Sequence, residues 1–248
     1  FLQYYWILPP ELIESFEDVF VLTYMFEGQG LYNMFKIHDI QYKNIGVKRA
    51  DDLYEFDFYN AVNYVPEYIR HLDELIDIVM DQRYNRIGDK LHDLSMSWFA
   101  RESNGEVLAL KRLIRSVFDY RFAESSKSGR VGNQNTLRLW GTYAKCRNKL
   151  TGKGYTNNYL VFNSRATNKY KSAQYLVYAV NLFVNVADKK YYEKLGIKVS
   201  DDQYALSTML QWIWRSAIRD GKPIHIYIPS RRMRELLIDW INSFKEVG

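Results

Sequence analysis

The stretch that most constrains the fold lies near the end of the chain. Gly221-Lys222-Pro223 forms a turn signal, and Ile224–Ile228 (IHIYI) alternates with period two. Pro229-Ser230 then opens a run in which Met233, Leu236, Leu237, Trp240, Ile241 and Phe244 recur at helical spacing. A strand feeding directly into an amphipathic helix is the unit of α/β domains, because the helix must bury its apolar stripe on a sheet. The rest of the chain offers more such pieces. Val19–Phe26 (VFVLTYMF), ending at Glu27-Gly28-Gln29-Gly30, predicts a buried strand, and Tyr159–Asn163 a second one. Pro9-Pro10 predicts a helix start across Glu11–Glu17, and Leu31–His38 a short helix. Helices are also expected over Ala173–Val184 and Tyr204–Arg219.

The middle reads as helical. After Pro66, Ile69, Leu72, Leu75, Ile76 and Val79 keep helical spacing, and Ile87–Phe99 and Val107–Phe122 repeat the pattern. Glu124–Asn135 is the one polar, Gly/Ser-rich stretch and the best boundary. The expected organisation is an α/β segment over 1–62, a helical insertion over 63–123, a linker over 124–136 and a second α/β domain over 137–248.

Charge is placed unevenly along this plan. Residues 1–62 carry 4 basic and 10 acidic side chains, residues 63–136 carry 11 of each, and residues 137–248 carry 19 and 8. The last part is therefore +11, which favours a polyanionic partner. No apolar run approaches the roughly 20 residues of a membrane helix, so no membrane partner is expected. Cys146 is the only cysteine, which excludes an internal disulfide and fits a reducing, cytoplasmic setting. The chain opens at Phe1 inside structured-looking sequence, which raises the expectation of a larger gene product.

Three clusters could carry chemistry. On the helix expected over Tyr204–Arg219, Gln211, Arg215 and Arg219 are spaced i, i+4, i+8, opposite an apolar face of Leu206, Met209, Leu210 and Ile213. Two guanidinium forks and an amide on one stripe suit phosphate oxygens, though a solvated surface stripe fits equally. Arg231, Arg232 and Arg234 crowd the first turn of the last helix, where positive charge costs about 0.3–1 kcal/mol each. A docked anion would offset that cost, as would pairing with the acidic N-terminal segment. Asn163-Ser164-Arg165-Ala166-Thr167-Asn168 follows an expected strand, and Arg165, Thr167 and Asn168 offer donors at a strand-end loop. No Gly-x4-Gly-Lys-Ser/Thr phosphate loop occurs, and His38, His71, His92 and His225 show no metal-ligand spacing, so no metal site is expected.

Leu22–Gly28, the Gly152-Lys153-Gly154-Tyr155 segment leading to Asn163–Asn168, and Leu210–Arg219 together resemble the C-terminal part of DEAD/DEAH-type superfamily-two helicases of phages and mobile elements. The resemblance implies RecA-like (P-loop-motor-like) α/β segments. It implies that Thr23 couples hydrolysis to strand movement and that Arg165, Thr167 and Asn168 contact nucleic acid and nucleotide. It also implies that Gln211, Arg215 and Arg219 serve an ATP γ-phosphate. Trp214 stands where that family has glycine, and Arg219 comes one residue late. Without a phosphate loop and acidic box, ATP and Mg are expected only in a complete protein with an upstream ATPase domain, and no hydrolase activity is expected of this chain alone. The leading expectation is a helicase-like nucleic-acid-binding module, with DNA favoured over RNA. The alternatives are a non-catalytic replication accessory protein of a phage or plasmid and a protein-interaction scaffold.

Overall fold

Four short parallel strands carry the fold. The computed structural model describes residues 9–51, 53–61, 63–101, 104–125, 137–164 and 167–245. The strands Ile76–Ile78 (β3), Arg138–Gly141 (β4), Tyr175–Tyr178 (β5) and Ile224–Tyr227 (β6) pair in the order β3-β6-β5-β4, all parallel. A separate antiparallel hairpin joins Gly46–Ala50 (β1) to Leu53–Asp57 (β2). The helices, in chain order, are Pro10–Glu14 (α1), Gly30–Ile37 (α2), Leu72–Leu75 (α3), Met96–Ala100 (α4), Asn104–Ser116 (α5), Phe122–Ser125 (α6), Arg147–Leu150 (α7), Val186–Lys194 (α8), Asp201–Ile213 (α9) and Arg231–Asn242 (α10). A π-helical turn, Val117–Arg121, joins α5 to α6.

β4, β5 and β6 are close to fully buried, as parallel strands covered on both faces must be. One face of the sheet carries Asp77, His225, Tyr175 and Arg138 in register across all four strands. The π-turn and the start of α6 cover it, with Phe118 under the Arg138 guanidinium and Phe122 against Tyr175. On the other face α9 brings Trp212 onto Tyr178 and over Gly141, where a Cβ would lie 2.8 Å from the indole. The core cluster runs from Leu72 to Ile241, and among the described residues before it Met25, Tyr68 and Ile69 pack against that cluster.

The α/β expectation holds, and so do the strand at Ile224, the helix after Ser230, the short helix after Gly30 and the helix through Val107. Several element assignments are corrected. The helix expected to run through Val79 stops at Leu75, and Ile76–Ile78 becomes the edge strand beside β6. The stretch 63–123, expected as a helical insertion, thus supplies one strand of the sheet and the cover of one face. Ile87–Phe99 is mostly turns, with a helix only from Met96. Ala173–Val184 contains the central strand β5 instead of a helix, because an apolar run this short fits a buried strand as well as a helix. Tyr159–Asn163 makes only a single bridge, from Tyr159 to Trp140. Val19–Phe26 is not a buried strand: it is irregular and exposed through Tyr24. From residue 126 the linker 124–136 lies outside the described residues.

Candidate polyanion-binding face

The expected site residues scatter. α9 ends at Ile213, so Gln211, Arg215 and Arg219 do not form one stripe. Arg215 lies beyond the helix with its Nε buried and unpartnered, whereas Arg219 sits exposed in the turn leading into β6. Arg219 does meet one other expected residue: its guanidinium donates to the Asn168 Oδ1 at 2.7 Å. These two residues precede β6 and β5, at the amino ends of the strands, whereas ligands of open α/β sheets sit beyond the carboxyl ends. Thr167 Oγ1 accepts from the Lys169 amide. Arg165 lies outside the described residues. Thr23 is exposed on the irregular N-terminal segment, not at a strand end.

The arginine triplet is committed to protein partners. Arg234 is buried and donates to Asn85 Oδ1 and to the Ile228 and Pro229 carbonyls. Arg232 pairs with Asp202 at 2.7 Å, donates to Asn181 Oδ1 and the Leu182 carbonyl, and lies 4.3 Å above the Phe183 ring. Arg231 folds back on Glu235 at 2.7 Å. The helix start that could have held an anion is also filled: the Arg231 amide donates to the Gly88 carbonyl and the Met233 amide to Ser230 Oγ. Buried carbonyls at the strand ends need donors, and these arginines supply them.

Unpaired basic charge gathers elsewhere, where α5, α7 and the loop 151–156 meet. Lys111, Arg112 and Arg115 of α5 face Thr151, Gly152, Lys153, Tyr155 and Thr156 across an open pocket of about 380 Å³. Arg115 shares Asp119 at 3.4 Å, but Lys111, Arg112 and Lys153 have no acidic partner among the described residues. α7 extends the same surface: Lys145, Arg147 and Lys149 are exposed, and Tyr143–Lys153 holds four cations and no acid. Arg147 lies 4.8 Å over the Tyr159 ring, whose phenol burial pushes up to about 12. Lys149 Nζ donates to the Phe99 carbonyl, tying α7 to α4.

A buried arginine anchors the loop that lines the pocket. Arg138 of β4 donates to the Gly154 carbonyl and to the Phe118 carbonyl, each at 3.2 Å, and lies 3.6 Å from Asp119. The loop 151–156 and the π-turn are thus held on one guanidinium, so the cations above them start from a rigid base. Thr151, Thr156 and three cations around a pocket of this size can take a phosphate with its attached sugar. Sequence reasoning missed these residues. The available signal was the basic i, i+1, i+4 triplet of α5 together with the acid-free run Tyr143–Lys153.

Among the described residues no cluster of His, Cys, Asp or Glu could hold a metal, and no helix is long and apolar enough to cross a membrane. A parallel sheet with helices on both faces makes this a Rossmann-like α/β domain. The chain belongs to the family described as the YonV C-terminal Rossmann-like domain, which matches residues 70–241. It is 36% identical over 246 residues to the SPbeta prophage-derived protein YonV of Bacillus subtilis (strain 168), covering 96% of this chain and 55% of that relative. The chain thus spans about half the length of the relative it matches. No solved structure matches it significantly.

Proposed function

We propose that this chain binds the sugar–phosphate backbone of nucleic acid, DNA in the first instance, through the face built by α5, α7 and the loop 151–156. One observation carries the reading: a pocket lined by four cations, three of them without an acidic partner among the described residues. Backbone contacts of this kind need no base-reading side chains, and they bind by releasing counterions. The prophage origin of the YonV relative fits a role on phage DNA. The reading favours a non-catalytic accessory protein over a motor. In the motor reading, Gln211, Arg215 and Arg219 serve the γ-phosphate of an ATP bound in a complete protein, but α9 ends at Ile213, so they do not line up on one helical stripe.

The test is fluorescence anisotropy with labelled single-stranded and duplex DNA, at about 50 and 200 mM salt. The wild type should bind and weaken steeply at the higher salt. The triple variant Lys111→Glu/Arg112→Glu/Lys153→Glu should lose at least about tenfold at the lower salt, since each phosphate contact adds to the salt slope. Arg231→Glu should change little. Equal affinity of the triple variant and the wild type would move the binding face elsewhere. No binding by the wild type would favour the protein-interaction scaffold.

A further inference from the structure

Val19–Thr23 has the composition of a buried strand but is not one. The segment is irregular, Leu22 is 79% exposed, and none of its backbone groups bonds to another described residue. Beside it the β1–β2 hairpin is open to solvent, with Leu53, Tyr54, Phe56 and Phe58 all exposed. A lone two-stranded hairpin is marginal in water. Phe20 stacks on Phe56 with ring centroids 5.6 Å apart, and the two segments line an open cleft of about 1050 Å³. Among the described residues, fourteen of the twenty-one exposed large apolar side chains lie between Leu12 and Val65, a concentration that monomeric surfaces rarely show.

The comparison with YonV says what could cover this face. The family match begins at residue 70, yet the likeness to YonV extends over 96% of the chain, so the exposed segment belongs to the relative as well. YonV has a large further part outside that span, because the match covers 55% of it. We propose that Val19–Thr23 and the β1–β2 hairpin dock the part of a YonV-length protein that lies outside this span, with a strand of that part pairing along Val19–Thr23. Backbone groups without protein partners give such a strand its hydrogen bonds, and the cleft takes its apolar side chains. Residues 1–62 carry 4 basic against 10 acidic side chains, so the surface of the docked part is expected to be apolar with a basic rim. This inference is independent of the basic face on α5 and α7.

The test is hydrogen–deuterium exchange on full-length Bacillus subtilis YonV. Amides aligned with Val19–Thr23 should exchange about a hundredfold more slowly than unprotected ones. Aspartate at the positions aligned with Phe20 and Phe56 should release that protection together with protection of one strand outside the matched span. Unprotected exchange in the wild type would overturn the proposal. Sedimentation of the 248-residue chain, wild type and Phe20→Asp/Phe56→Asp, removes the other occupant. Monomers in both cases support the proposal, whereas a wild-type dimer that the double variant dissolves would assign the face to a second copy and overturn it.

Discussion

Asp77 shows how much a single register position decides. It faces His225 across β3 and β6, and the His225 Nδ1 meets its carboxylate at 2.8 Å while Arg121 approaches to 3.3 Å. Tyr175 stacks on the imidazole with ring centroids 5.4 Å apart. The hydrogen bond from His225, aided by the Arg121 charge, holds the Asp77 carboxyl below its usual range. A depressed carboxyl contributes stability above its unfolded pKa, and that contribution is lost as pH falls through the folded value. Asp77→Asn should therefore lower the unfolding free energy near pH 7, by on the order of 1 kcal/mol or less because the carboxylate is partly in water, and with it Tm. The gap between wild type and variant should begin to close as pH falls below about 4, the usual carboxyl range, and narrow further toward the depressed folded value. Thermal melts at about pH 7, 5 and 3 measure it, and a gap as wide at the lowest pH as at pH 7 would mean the loss is packing rather than charge. Nothing in the sequence pairs residue 77 with residue 225, because their partnership exists only once two strands 148 residues apart lie side by side.

At the scale of elements, the loop between β3 and α4 matters most. It passes over the carboxyl end of β6, and the Gly88 carbonyl accepts from the Arg231 amide. Gly88 has φ +112°, and a Cβ there would sit 2.2 Å from the Pro229 carbonyl oxygen. Gly88→Ala should cost about 2–4 kcal/mol, from backbone strain plus a clash that only movement of the loop or of α10 relieves. Urea unfolding would read this, and a loss under about 1 kcal/mol would show that the loop yields easily. Element types were legible where a pattern was long and had a cap. α10 shows this, with Ser230 accepting from the Met233 amide and an apolar stripe behind it. Short apolar runs were not legible. Ala173–Val184 reads as helix or strand equally well, and only the two neighbours of β5 decide between them.

At the scale of the molecule, the core and the N-terminal segment separate. The buried cluster spans Leu72 to Ile241, while Met34 and Phe35 of α2 are buried outside it. Residues 67–248 alone should therefore keep a cooperative thermal transition, with Tm within about 10 °C of the full chain. Circular dichroism melts check this, and a broad, non-cooperative loss of signal would make the first 66 residues part of one folding unit.

The sequence alone determined the fold class, the basic character of the last part and the strand–helix ending, because these rest on local periodicity and on counting charge. Tertiary structure decided which cations stay unpaired. Arg232 and Arg234, conspicuous in sequence, are turned inward by strand-end carbonyls and Asp202, while Lys111, Arg112 and Lys153 line one pocket because the π-turn that follows α5 and the loop 151–156 are held together on Arg138. Whether a charge is available depends on which groups lie within a few ångströms of it, and spacing along the chain does not contain that distance.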